Sequence, residues 1–152
     1  MKIVLQRVSK ASVSISNKTF SSIEKGLVLL VGIGQTDDAK DIEYLVQKIT
    51  NMRLFPSDNG NFDISVKEAN YEILLVSQFT LYGDTRKGRR PSFTEAAPPE
   101  KANVIFNQLT NDFKKTGVIT KTGKFQSHMV VNILNDGPVT IMIDSKDKIN
   151  KP

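Results

Sequence analysis

The sequence contains no cysteine and a single histidine, His128. Without cysteine there is no disulfide framework, no thiolate nucleophile and no Cys-based zinc site. With one histidine there is no HExxH helix and no imidazole cluster, so neither a metal nor another cofactor is expected. A Ser-His-Asp triad would have to run through His128, which stands beside the apolar stretch Met129-Val130-Val131 with nothing near it to suggest one. No Walker sequence is present, and Gly32-Ile33-Gly34 lacks the remaining spacing of a dinucleotide fingerprint. Long apolar runs are missing as well. The longest, Leu27–Ile33, is seven residues, against about 20 for a membrane helix. The opening Met1–Arg7 meets a charge before any apolar stretch adequate for a signal peptide. These absences lead to the expectation of a soluble, cytoplasmic protein with no membrane partner. The 152 residues, free of repeats and low-complexity segments, fit one domain (1–152) with 146–152 as a flexible tail.

What is present in excess is positive charge: 21 Lys and Arg against 16 Asp and Glu, a net +5. Such a balance suits a polyanionic partner, because long-range attraction raises the encounter rate. Apolar periodicity sets the fold class. Ser12–Ser16 alternates strictly, the mark of a half-buried strand. Lys2–Val8 and Ala11–Ile15 read as two short strands, and Asn17-Lys18 as a turn into Thr19–Ile23. Gly26–Ile33 reads as a strand buried on both faces. After Thr36-Asp37-Asp38, which offers helix caps, Ile42, Leu45, Val46, Ile49 and Met52 fall on one helical face. Pro56 closes that unit and Ser57–Asn61 is a loop. Glu72–Phe79 reads as a strand and Gly83–Pro91 as a basic loop. A second helix begins near Pro98-Pro99, buries Ala102, Ile105, Phe106, Leu109 and Phe113, and ends at Gly117. Val118–Lys121, Met129–Leu134 and Val139–Asp144 complete the strands, the last two joined by a tight Asp136-Gly137-Pro138 connection. Many strands with two helices that do not alternate regularly with them predict an α+β fold. Its sheet is expected to be largely antiparallel and barrel-like, with both helices packed outside. An open sheet with both helices on one face is the alternative.

Three polar interruptions carry the candidate chemistry. Ser77-Gln78-Phe79-Thr80-Leu81 follows an apolar strand. It is either a strand end facing water or a set of hydroxyl and amide groups at a pocket mouth. Asn135-Asp136-Gly137-Pro138-Val139-Thr140 is either an ordinary turn or a rigid backbone element, since glycine lets another backbone approach closely and a prolyl bond can be cis. Arg86-Lys87-Gly88-Arg89-Arg90-Pro91 is either a solvated loop or a set of phosphate contacts.

Taken together, these segments resemble the D-aminoacyl-tRNA deacylase (D-tyrosyl-tRNA deacylase) family. Met1–Val8 is similar to its opening, Ser77–Leu81 to its first signature, Gly88–Phe93 to its basic segment and Asn135–Thr140 to its second signature. The resemblance runs from Met1 to about Asp144. It implies a homodimeric hydrolase that proofreads chirality by cleaving the ester between a D-amino acid and tRNA, with glycyl-tRNA mischarged on tRNA-Ala also passing the filter. It implies that Gly137-Pro138 is cis and enters the partner subunit's pocket. There its carbonyls meet the substrate amino group and leave no room for an L side chain, a rejection by clash. Ser77, Gln78, Phe79 and Thr80 would line the pocket for the terminal adenosine and the ester, and Arg86, Lys87, Arg89 and Arg90 would contact tRNA. For the chemical step, Thr80 is one candidate nucleophile but has no base beside it in sequence. The preferred alternative is assistance by the tRNA 2′-hydroxyl, with backbone N–H groups near Phe79 and Thr80 stabilising the oxyanion. Gln126-Ser127-His128 departs from the smaller or more apolar residues expected there. A non-catalytic RNA-binding module and a small-substrate esterase remain the competing readings.

Overall fold

A computed structural model describes residues 1–148 of the protein. The chain opens on one long strand, β1 (Lys2–Ile15), followed by β2 (Lys18–Ile23), β3 (Gly26–Gly32) and helix α1 (Ala39–Asn51). Short strands β4 (Arg53–Pro56) and β5 (Phe62–Ser65) pair with each other before β6 (Glu72–Ser77). Helix α2 (Pro99–Lys115), β7 (Ile119–Thr122) and a second long strand, β8 (Val130–Asp144), complete it. The main sheet has the order β2-β1-β3-β6-β7, with β8 pairing β1 along nearly its whole length.

The fold class is α+β and barrel-like, as expected, but the sheet is mixed rather than largely antiparallel. β1 pairs antiparallel with β2, β3 and β8, whereas β3–β6 and β6–β7 are parallel. The cause is in the connections. A hairpin returns the chain in the opposite sense, while a crossover through a helix brings it back in the same one. Helix α1 lies in the β3-to-β6 connection and α2 in the β6-to-β7 connection. The sheet curls until its ends meet: Ser21 Oγ donates to the Thr122 carbonyl at 2.8 Å and Lys121 Nζ to that of Ser22 at 2.8 Å.

Each face of the sheet has its own core. Ile3 and Leu5 of β1, Leu27, Leu29 and Val31 of β3, and Ile73 and Leu75 of β6 face the helices. Ile42, Leu45 and Ile49 of α1 and Ile105, Phe106, Leu109 and Phe113 of α2 pack on them. A fully buried side chain of this kind is worth about 1.5–3 kcal/mol, so the two stripes anchor the helices far more strongly than their end caps do. The alternate residues Val8, Val13, Val28, Leu74 and Val76 fill the other face. The cap of α1 is nonetheless complete. Asp38 accepts from the Lys40 N–H at 2.9 Å while Asp41 reaches back to the Asp38 N–H at 2.9 Å. Asp38→Ala is expected to cost about 1 kcal/mol, measured as a shift in the urea midpoint at unchanged slope.

Several local expectations are corrected. Lys2–Val8 and Ala11–Ile15 are one strand, because β8 supports β1 across the intervening residues with register shifts. The hairpin turn is Ser16-Asn17, both at positive φ, rather than Asn17-Lys18. The strand expected over Glu72–Phe79 stops at Ser77 and passes into a 3-10 turn, Phe79–Tyr82. Val130–Leu134 and Val139–Asp144 run in line on β1, so Asp136-Gly137-Pro138 is an outward bulge within one strand instead of a turn between two. Val8 pairs with Asn135 and Gln6 with Thr140, leaving four residues of β8 against one of β1. The expected tail begins in ordered structure: Ser145–Asp147 form a 3-10 turn anchored by the buried Ser145, whose N–H donates to the Met1 carbonyl at 2.9 Å and whose Oγ accepts from the Met1 amino group at 2.7 Å. The rest of the expected tail, 149–152, lies outside the described residues. No helix among the described residues is long and apolar enough to cross a membrane.

Candidate active site

The parallel strands β3 and β6 end side by side, Val31 paired with Ser77. Beyond that point the chain must leave the sheet. The Gln78 N–H makes one last bond to the Val31 carbonyl at 2.7 Å, and Gln78 then adopts φ −144°, ψ 74° and starts the 3-10 turn. The turn is held by Leu81 N–H to the Gln78 carbonyl (3.2 Å) and Gly83 N–H to that of Thr80 (2.9 Å). At Gly83 a Cβ would stand 3.0 Å from the Thr80 carbonyl and 3.3 Å from the Phe93 ring, so glycine allows the close return. The first N–H groups of such a turn have no partner inside it, and those of Phe79 and Thr80 donate no backbone hydrogen bond among the described residues.

Above the strand ends lies a cavity of about 770 Å³. Val31, Ile33, Val76, Ala97, Ala102 and Phe125 make it apolar, and Ser77, Gln78, Gln126, Ser127 and His128 add polar groups. Pro98 and Pro99, at the start of α2, close one side. The segment that carries them is tied down by Ala97 N–H to the Ile33 carbonyl at 2.9 Å and Gln35 N–H to that of Glu95 at 3.1 Å. Phe79 and Phe93 meet edge to face at 5.1 Å on the wall. No carboxylate lines the cavity.

The structure brings Ser77, Gln78 and Phe79 to this wall. Thr80 does not line it; its hydroxyl accepts from Gln78 Nε2. The basic loop is attached directly to the wall through Phe93. Its two ends are paired by the Asp84 N–H to the Ser92 carbonyl (2.7 Å) and the Ser92 N–H to that of Asp84 (2.9 Å). Arg86 is occupied within the loop. Its Nε and Nη2 fork the Asp84 carboxylate at 2.9 and 2.8 Å, whereas Lys87, Arg89 and Arg90 are exposed and in no ion pair among the described residues. The bonds from the Arg86 side chain and backbone hold the Asp84 carboxyl down at about 2. A lowered carboxyl stabilises the paired form above its ordinary range and loses that effect as pH falls through its folded value. The Arg86–Asp84 fork should therefore persist through mildly acidic pH and be lost only near pH 2, which a carboxyl-carbon NMR titration of Asp84 would read as a midpoint well below 3.9.

Gly137 and Pro138 are not part of this cavity. Along the sheet, Gly137 lies three strands from Ser77, about 14 Å at 4.8 Å per strand, and beside Arg7, whose β3 partner Leu27 is about 13 Å from Val31. The Gly137–Pro138 bond is cis, as the resemblance implies, and both residues are exposed. The bulge is braced from behind. Asn135 accepts from the Val139 N–H at 2.8 Å and donates to Thr140 Oγ1 at 2.9 Å. Arg7 donates from Nε to the Asp136 carbonyl at 2.9 Å and from Nη1 to the Leu54 carbonyl at 2.7 Å, with its guanidinium 5.4 Å from the centre of the Phe62 ring.

With both signatures placed, a comparison with known proteins decides the family. The model for D-Tyr-tRNA(Tyr) deacylase matches residues 4–144. The chain belongs to that family. A D-aminoacyl-tRNA deacylase of Thermotoga petrophila is 48% identical over 145 residues, 95% of this chain and 97% of the relative. One of a Thermoanaerobacter species is 52% identical over 146 residues, covering 96% and 98%. A solved structure named c-Myc DNA Unwinding Element Binding Protein superposes with a TM-score of 0.90 at 42% identity, over 95% of this chain and 98% of that one.

Within this deacylase family member, sequence reasoning missed several contributors. Arg7 stood inside the opening motif without a role. A charge at the end of an otherwise apolar strand was the available signal. Asn135 was quoted for its backbone segment, yet its side chain organises the bulge. Ala96–Pro99 carried no polar pattern that would place it at a pocket, and the polar run Gln126-Ser127-His128 stood out only as a departure from the residues expected there. His128 does sit on the cavity wall, next to Gln126, a non-glycine residue at φ 59°.

Proposed function

We propose that this chain hydrolyses the ester between a D-amino acid and the 3′ end of tRNA, as a homodimer in the cytoplasm. In this reading Gly137–Pro138 of each subunit enters the partner's cavity and excludes L substrates, while glycyl-tRNA mischarged on tRNA-Ala is also cleaved. Relatives named D-aminoacyl-tRNA deacylase, 48% and 52% identical over nearly the whole chain, support the activity. One observation carries the cross-subunit part. The cavity bearing Ser77, Gln78 and Phe79 and the braced Gly137–Pro138 bulge do not meet within one chain. A second copy is the simplest way to join them. The outer face of β8 offers an interface: Val130 and Leu134 are each 55% exposed and Met142 83%, and large apolar side chains grouped on one exposed strand favour burial by a partner.

The geometry supports the following roles. Ser77, Gln78 and Phe79 hold the terminal adenosine and ester, the free Phe79 and Thr80 N–H groups face the developing oxyanion, and the Gly137–Pro138 carbonyls of the other subunit receive the ammonium of the amino acid. Lys87, Arg89 and Arg90 contact phosphates; Arg86 shapes their loop instead. An aminoacyl ester is activated, so positioning and oxyanion stabilisation suffice. Thr80 has only Gln78 beside its hydroxyl, which is no base, and the tRNA 2′-hydroxyl is the better-placed assistant. Thr80→Val should therefore reduce the single-turnover rate by far less than the roughly 10³-fold or more that loss of a nucleophile costs. A loss of that size would restore Thr80 as nucleophile.

The activity itself is tested by incubating the protein with matched D- and L-aminoacyl-tRNA and following free amino acid. Release from the D ester alone is expected; no release from it overturns the reading. The second reading is a non-catalytic nucleic-acid-binding protein. It draws on the name of the 42% identical DNA-binding relative and on the unpaired Lys87, Arg89 and Arg90. It predicts binding without release.

A further inference from the structure

The cavity has a neighbour. A groove of about 430 Å³ runs between α2 and β7, lined by Asn107, Asn111 and Lys114 of the helix and by the rings of Phe106 and Phe125. Phe125 lines both the groove and the cavity, so one aromatic wall separates them. The two rings lie 6.0 Å apart at 38°. Lys114 is exposed and in no ion pair among the described residues, in contrast to Lys115, which pairs with Asp112 at 3.0 Å. Lys124 is exposed and stands between Gly123 and Phe125, both of which line the groove. No carboxylate lines it.

We infer that this groove receives the single-stranded 3′ segment of tRNA immediately before the terminal nucleotide. The inference rests on the reading that the cavity holds that terminal nucleotide. A chain whose last nucleotide occupies the cavity must leave it past one of its walls. Past Phe125 it meets amide side chains that can donate to phosphate or base edges, Lys114 in the lining with the exposed Lys124 at its edge to neutralise phosphates, and a ring on which a base can stack. A positive groove with an aromatic platform is how proteins hold unpaired nucleic acid without reading its sequence. Continuity with the cavity and the absence of acidic groups select this occupant. The duplex part of tRNA is too wide for a cleft of this volume, and a protein segment would gain nothing from the unpaired lysines.

The test compares three substrates carrying the same D-amino acid: the aminoacyl ester of adenosine, of the trinucleotide CCA, and of full tRNA. The double variant Lys114→Ser/Lys124→Ser removes two exposed charges without touching either core. Its loss in kcat/KM on the trinucleotide and tRNA esters should exceed its loss on the adenosine ester by about tenfold, the scale of one or two charge-assisted contacts. The slope of log KM against log salt for the trinucleotide should fall by about 1.4, at 0.7 per single-strand phosphate contact. Lys114→Arg/Lys124→Arg should restore both. Equal losses on all three esters, or a loss on full tRNA alone, overturn the inference: the first makes the lysines structural and the second puts the duplex at the groove. If the unaltered protein cleaves none of the esters, it is the deacylase reading that fails.

Discussion

Replacing Gly137 by alanine should lower hydrolysis of D-aminoacyl-tRNA by about 100-fold while leaving the protein folded, because a displacement of about 1 Å at the reacting site is worth that much. Gly137 has φ +137°, a conformation that L side chains rarely adopt. A Cβ there would stand 2.8 Å from Val139 Cγ2, 3.0 Å from the Val139 nitrogen and 3.1 Å from Arg7 Nη2. None of these neighbours can yield without moving the bulge. Val139 N is fixed by Asn135, and Arg7 by the Asp136 and Leu54 carbonyls. The bulge is exposed and outside both cores, so the stability cost should stay within about 1–3 kcal/mol, the range for one strained residue. Kinetics with D and L esters, run beside a urea melt, separate the two effects. Activity within threefold of the parent would show that the Gly137 backbone takes no part.

Arg7→Ala should have the next largest effect. It removes both donors that hold the bulge to β4 and leaves the Leu54 carbonyl, which is partly buried, without its partner. One of the bonds is exposed, so about 2 kcal/mol is expected rather than the sum of two charge-assisted bonds, or roughly 30-fold in the ratio of D to L hydrolysis. Much of that change should come from L esters gaining access as the wall loosens. Arg7→Lys should not restore the ratio. A single ammonium cannot reproduce two divergent donors on a planar fork or its position over the Phe62 ring. Full rescue by lysine would assign Arg7 to charge alone.

The sequence made the helices legible because each carries a long stripe: Ile42, Leu45, Val46 and Ile49 in one, Ile105, Phe106, Leu109 and Phe113 in the other. It hid β4 and β5, four residues each, since Arg53–Pro56 and Phe62–Ser65 are too short to show alternation. It also hid strand direction, which depends on where a helical connection lands rather than on any residue in β6 or β7. At the site, Ser77–Leu81 was visible as a polar break after an apolar strand. The cavity facing it was not, because Ala96–Pro99 and Phe125–Met129 come together only through the β3–β6–α2 arrangement. Gly137–Pro138 was visible as a motif, while its brace was hidden because Arg7 and Asp136 are 129 residues apart. The pairing of Arg86, one of the expected phosphate ligands, with Asp84 in its own loop was also hidden.

The proposed active site takes its cavity from one chain and its chiral wall from another. Co-expression of two variants, Gly137→Ala and Gln78→Ala, tests it most directly. The first keeps its cavity and the second keeps its wall. Random pairing of equal amounts gives half mixed dimers, each with one intact site, so about a quarter of the unaltered D-specific rate should return. A mixture no more active than the average of the two variants made separately would contradict the shared site.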